Sequence, residues 1–168
     1  MANKIAKLMS IGVLGGGGGV KYETPDYGNW VPAGYTITAT PGLMNDDPAV
    51  SALINGTQDD ECWFTSGLNA AGKEITIDIG HLVVCSEVKW QQDIIATQGT
   101  WVVKASVDNA TKVSVSSNVS LGGSATQTIA TPGWESTPYR YLHLTGVSGT
   151  TSSAAYTREL SGKIGNPI

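Results

Sequence analysis

Apolar and polar residues alternate over much of the chain, in short runs. In the stretch 73–79, Ile75, Ile77 and Ile79 share one face, and Thr76 and Asp78 share the other. Further strand-like runs follow at 82–90, 100–107, 113–119, 126–130, 139–144 and 155–164. In the third run Trp101, Val103, Ala105 and Val107 point the same way. Gly80, Asp108-Asn109, Gly122-Gly123, Pro132-Gly133 and the glycines at 146 and 149 supply turns between them. An earlier run, 35–40, also alternates and reads as a first strand. Asp47 and Pro48 open a short helical turn over 47–54, with Asp47 as cap and Pro48 at the first position. Short strands at this spacing, with no helix long enough for a βαβ unit, predict an all-β sandwich or barrel.

Composition supports this. The 168 residues include 21 Gly, with abundant Thr and Ser and only 14% charged side chains. That length suits one domain with some extra chain. The net charge of −4 argues against nucleic acid as a partner, because phosphate binding needs clustered Lys and Arg. With 40% apolar residues and five Trp, the chain is not disordered throughout. No apolar run approaches the ~18 residues of a membrane span. Cys62 and Cys85 fit no metal spacing and read as free, buried thiols.

The domain plan is a Gly/Pro-rich arm and extended segment, 1–44, followed by a sandwich, 45–168. Lys4 and Lys7 precede a short apolar stretch and then Gly15 to Gly19. The stretch resembles a secretory signal but is broken by Ser10 and Gly12, and no cleavage site follows. The glycines are not followed by the Lys-Ser/Thr of a phosphate loop, so they read as a flexible joint. Pro25 and Pro32 exclude a helix there, and Tyr22, Tyr27, Trp30 and Tyr35 are candidate anchors for assembly.

Four segments together resemble a discoidin, or coagulation-factor type C, domain of the galactose-binding-like jelly rolls. They are Ala52-Leu53-Ile54-Asn55-Gly56 with Cys62-Trp63-Phe64-Thr65-Ser66; Ile75-Thr76-Ile77-Asp78-Ile79-Gly80; Val103-Lys104-Ala105-Ser106-Val107-Asp108; and Tyr139 to Leu144 with Arg158-Glu159-Leu160. The resemblance covers roughly the last 120 residues. It implies a jelly-roll β-sandwich, with Trp63 in the family's buried Trp position and Arg140 as a structural arginine. Trp101 joins the core from the apolar face of its strand. Relatives bind sugars, lipid headgroups or proteins, so the fold does not choose the ligand.

The resemblance also implies a structural calcium ion near Asn55, Thr57, Asp59, Asp60 and Glu159, whose oxygens suit that ion. Asn55 stands where the family usually has Asp, which removes one charge. Without an ion, Asp59-Asp60-Glu61 reads as a solvated acidic loop. For sugar binding, Trp90-Gln91-Gln92-Asp93 lies where relatives often carry an Arg-x-Asp loop. An aromatic face can stack on a sugar ring while Gln91, Gln92 and Asp93 hold its hydroxyls. Trp134, beside a Pro-Gly turn, is a second stacking candidate. Either tryptophan reads otherwise as edge packing or an interface residue. There is no nucleophile elbow and no paired-His zinc motif, so the expectation is no enzyme.

These readings combine into a non-enzymatic structural protein of a bacteriophage virion, on the tail, a fibre or the capsid surface, that attaches to a host-surface glycan. Such a protein is made in the host cytoplasm and meets glycans after release, which reconciles a sugar-binding fold with the lack of a clear signal peptide. Its expected partners are the glycan, other virion proteins and further copies of itself through the arm. The alternative is a purely architectural decoration or adaptor protein whose sugar site is inactive. A secreted lectin is a third reading and requires cleavage after the glycines.

Overall fold

The computed structural model describes residues 35–45, 50–55 and 62–165. The described residues form an antiparallel jelly-roll β-sandwich of eight strands. These are β1 (Thr36–Ala39), β2 (Glu74–Gln92), β3 (Thr100–Ser106), β4 (Val113–Ser114), β5 (Val119–Ser120), β6 (Thr126–Ala130), β7 (Tyr139–Ser148) and β8 (Thr157–Gly165). Short 3-10 helices span Val50–Ile54 and Pro132–Trp134. Among the described residues no helix is long and apolar enough to cross a membrane.

The runs 73–79 and 82–90 form one strand, β2, that serves both layers. Its first half pairs with β1 and β7, its second half with β6 and β8. The change of layer falls at Gly80, His81 and Leu82, where β2 is exposed and its register with β7 shifts between Asp78 and Val83. Gly80 has φ +82°, a conformation that costs glycine nothing, and its N–H donates to Asp78 Oδ1. Arg140 grips the same Asp78 with a fork of two bonds, at 2.7 and 2.8 Å. That hydrogen-bonded pair holds the Asp78 carboxyl below its usual range.

The alternation places the isoleucines as expected. Ile75, Ile77 and Ile79 are buried with Trp101, Val103, Ala105, Leu142 and Leu144. From the other layer come Val88, Trp90, Ile129, Leu160 and Ile164. Phe64 lies between the layers, its ring centroid 5.6 Å from Trp90 and 5.6 Å from Trp101. Cys62 and Cys85 are free and buried, and burial pushes both thiols up to about 12.

Several expectations are corrected. Phe64, not Trp63, is the fully buried aromatic of its segment; Trp63 is half-buried. The bridge Met44↔Phe64 fixes that phase. The sandwich also begins before residue 45, since β1 pairs with β2, and Leu43 and Met44 are buried in the core. The run 113–119 splits into β4 and β5, because Val115 turns inward with 3% exposure. Val107 lies past the end of β3 and is exposed. The turn after Asp47 is the 3-10 helix Val50–Ile54; Asp47 and Pro48 lie outside the described residues.

Adjacent aromatics should therefore differ in stability. Phe64→Ala should cost about 3–5 kcal/mol in denaturant melts, and Trp63→Ala under about 2 kcal/mol. Equal costs would contradict the observed phase.

Candidate functional site

At one end of the sandwich, the loops 93–99, 121–125 and 149–156 meet the segment 62–72. Backbone bonds tie them together. Gln98 N–H donates to Leu121 O at 2.8 Å, Gly67 N–H to Thr151 O at 2.8 Å and Ala70 N–H to Gly149 O at 2.9 Å. Ser152 N–H donates to Gln98 Oε1 at 2.8 Å. Gly146 passes so close to Ala70 that a Cβ there would sit 1.9 Å from Ala70 O. The loops form a braced rim.

On this rim Tyr156 presents its ring at 40% exposure. Trp63 meets it edge-on, with centroids 5.6 Å apart and planes at 78°. The Arg158 guanidinium lies 5.9 Å from the same ring. Asp93 fixes Tyr156 by its backbone. Asp93 N–H donates to Tyr156 O at 3.0 Å, and Asp93 Oδ1 accepts from Tyr156 N–H at 2.8 Å. The same Oδ1 accepts from Ile94 N–H, while Oδ2 has no hydrogen-bond partner among the described residues. Ile94 and Ile95 follow on the exposed side of the loop. The arrangement places a partly exposed aromatic ring on the rim, its backbone bonded to an exposed carboxylate.

The residues singled out from the sequence divide. Asp93 reaches the rim. Trp90 and Trp134 do not offer a stacking face, because both are fully buried. Trp90 Nε1 donates to Gln92 Oε1 at 2.9 Å. Trp134 Nε1 donates to Val83 O at 2.7 Å, near the middle of β2 and away from the loop that follows its end. Gln92 is buried and engaged internally, and half-buried Gln91 pairs in the sheet with Thr126 and Glu159. Glu159 is buried at 4% exposure on β8, against which the 3-10 helix preceding Asn55 packs. Thr57, Asp59 and Asp60 lie outside the described residues, as do Tyr22, Tyr27 and Trp30. Among the described residues no three His, Cys, Asp or Glu side chains gather as a metal site. Tyr35 rests its ring 6.4 Å from His81, and burial raises its pKa. The sequence reading missed Tyr156 and the surface role of Trp63. An aromatic among the small residues before the last strand was the available signal.

A second cluster joins β2, β3 and β7. Ser106 Oγ lies 2.8 Å from His143 Nε2, and His143 Nδ1 lies 3.2 Å from Glu74 Oε1. Lys112 Nζ and Thr76 Oγ1 donate to Glu74 Oε1, at 2.6 and 2.9 Å, and Thr145 Oγ1 donates to Oε2. Burial tends to raise the Glu74 carboxyl, but the bonds from Lys112 and Thr76 and the nearby His143 together hold it below its usual range. Burial, ahead of Lys112, lowers His143 against the opposing pull of Glu74. Neutral His143 then donates from Nδ1 to Glu74 and accepts the Ser106 hydroxyl at Nε2. The order is that of a hydrolytic triad. Ser106 and His143 are both at 0% exposure, so no substrate reaches them, and the cluster acts as a cross-strand brace.

No protein-family model matches the chain, and no curated protein does. Solved structures do match. One is the family 32 carbohydrate-binding module of Clostridium perfringens NanJ in complex with galactose, at TM-score 0.58 and 14% identity, covering 76% of this chain and 92% of that one. Another is chitosan-binding module 1 of the chitosanase/glucanase from Paenibacillus sp. IK-5, at TM-score 0.55 and 16% identity, covering 76% and 92%. A third is the family 32 module of AlyQ in complex with 4,5-unsaturated mannuronic acid, at TM-score 0.56 and 19% identity, covering 76% and 92%. At these identities the likeness is one of fold, the galactose-binding-like jelly roll of carbohydrate-binding modules.

The His143 brace has a pH signature. His143 is depressed below its ordinary 6.5, so between those two values the unfolded chain binds a proton that the folded chain refuses. Stability should therefore rise with pH across that window and fall as pH drops below 6.5. Depressed Glu74 adds loss in the same direction below 4.5. Chemical melts from about pH 7 to about pH 5 should show a shallower decline for His143→Gln than for the parent chain. Equal slopes would remove His143 as a buried neutral group.

Proposed function

We propose that this chain is a non-catalytic carbohydrate-binding module that seats a sugar on the Tyr156 ring. The observation that carries this is the Tyr156 ring, 40% exposed on a braced rim, whose backbone is bonded to an Asp93 carboxylate with one oxygen lacking a partner among the described residues. An aromatic ring takes the C–H face of a sugar, and a carboxylate oxygen accepts hydroxyls. The structural likeness to sugar-binding modules supports the same ligand class. The test is a broad glycan array with the full chain, followed by titration of the strongest hit. Tyr156→Ala should weaken that hit about threefold to tenfold, the range of one aromatic contact. Asp93→Asn keeps an oxygen for the Ile94 and Tyr156 N–H groups but replaces the open acceptor with a donor, so it should weaken binding while leaving the melting curve nearly unchanged. Full binding by both variants would place the site elsewhere.

Calcium belongs to the same proposal. Glu159 is a buried carboxyl on the strand against which the 3-10 helix before Asn55 packs. Thr57, Asp59 and Asp60 would complete the oxygen set. Calcium should raise the melting temperature of the full chain, and Glu159→Gln should abolish the rise. A melting curve indifferent to calcium and chelator would exclude the ion.

The setting we propose is a virion surface, with the chain made in host cytoplasm and docked through its N-terminal segment. Its support is the glycine run 15–19 ahead of a sugar-binding-like fold. A second reading, an architectural module without a sugar site, draws on the burial of both Trp90 and Trp134. A blank array from folded protein would favour it.

A further inference from the structure

Gln92 ends β2 with 5% of its surface exposed, and its amide is fully engaged. Oε1 accepts from Trp90 Nε1 at 2.9 Å. Nε2 donates to Ile94 O at 2.6 Å and Ala96 O at 3.0 Å, with Gly122 O at 3.4 Å completing its surroundings. Only an amide fits both ends, because one atom must accept an indole N–H while the other donates to carbonyls. Gly122 closes over this group with φ +75°. A Cβ there would lie 2.2 Å from Ala96 O and 2.7 Å from Gln92 Oε1. Gln92 N–H also donates to Ala125 O at 2.8 Å. The 93–96 loop is thus curled around one buried side chain.

The curl continues to the rim. The carbonyl of Ile94 is held by Gln92, and the N–H of Ile94 by Asp93 Oδ1. That oxygen also takes Tyr156 N–H. A continuous series of bonds runs from the core indole of Trp90, through the Gln92 amide and the loop, to the Asp93 carboxylate and the Tyr156 backbone.

We propose that Gln92 is the positioning residue of this site: a buried amide that touches no ligand and sets the Asp93 carboxylate and the Tyr156 ring in their binding arrangement. The inference rests on the reading of the rim as the binding site. It gives the buried glutamine a role that its position beside Trp90 and Asp93 in the sequence would assign to direct ligand contact. It also makes the loop preorganised, so that ligand binding orders little chain.

The test is residue-resolved amide hydrogen exchange on the full chain, expressed as protection factors. Gln92→Glu turns a carboxylate oxygen toward the Ile94 and Ala96 carbonyls. Near pH 7.5 it should lower protection of the Ile94 and Tyr156 amides about tenfold, the equivalent of one lost hydrogen bond, with Ile77 and Leu144 unchanged. Near pH 5 the introduced carboxyl, its pKa raised by burial and by the facing carbonyls, regains a proton to donate, and protection should recover. A purely structural weakening would lower protection throughout the sandwich without acid recovery, and that result would overturn the role, as would unchanged Ile94 and Tyr156 amides. If Gln92→Glu does not fold, Gly122→Ala presses on the same amide from the other side and should loosen the same two backbone amides; wild-type protection there would overturn the role equally. This readout needs no ligand. A blank glycan array would overturn the sugar reading and leave the protection factors to decide on Gln92.

Discussion

The Trp90–Phe64–Trp101 stack is the contact on which the rest of the sandwich depends. Trp90 comes from the layer of β6 and β8, Trp101 from the layer of β7 and β1, and Phe64 from the segment before β2. Three large rings at 5.6 Å spacing pack between the sheets. Both tryptophans carry an N–H that burial obliges to find an acceptor. Trp90 finds Gln92 Oε1, and Trp101 finds Gln98 O at 2.6 Å. Both acceptors lie at the end of the sandwich where the loops converge. Core packing therefore extends into loop geometry through two indole hydrogens.

This linkage braces a rim that is built from loops. Gln92 and Gln98 are buried at the foot of the 93–99 loop, and each connects it to a neighbouring loop. Close backbone approaches need glycine where they occur, at Gly122 against Ala96 and at Gly146 against Ala70. Exposed Tyr156 and half-buried Trp63 then stand on a hydrogen-bonded base. At the proposed site, binding at Tyr156 and Asp93 would order little additional chain, which is the physical advantage of a braced end of a sandwich.

The opposite strategy operates on the outer face of β2, β7 and β3. There a buried histidine, a serine, two threonines and a glutamate saturate one another, with Lys112 covering them. Residue types that elsewhere perform catalysis serve here as cross-strand fasteners. Exposure decides between the two roles: Ser106 and His143 have none. The Asp93 rim and the His143 brace thus use similar polar groups for different ends, separated by access to water.

Alternation along the chain was sufficient to read most of the strands, an all-β sandwich or barrel and the isoleucine face of β2, because a half-buried strand must repeat every two residues, while the jelly roll came from the resemblance of four segments to a known family. Charge composition sufficed to argue against nucleic acid, since the basic residues are few. The same period could not say which of Trp63 and Phe64 faces inward. Neighbours in a strand point to opposite sides, and only the pairing of Phe64 with Met44 and of Cys62 with Thr157 sets which side is the core. Nor could it separate a glutamine that offers its amide to a ligand from one whose amide is occupied by Trp90, Ile94 and Ala96, because those partners are local carbonyls whose positions exist only once the loop is closed. Tyr156 enters the proposed site for the same reason: its exposure and its contact with Trp63, 93 positions away, are properties of the folded rim and not of the residues around it in the chain.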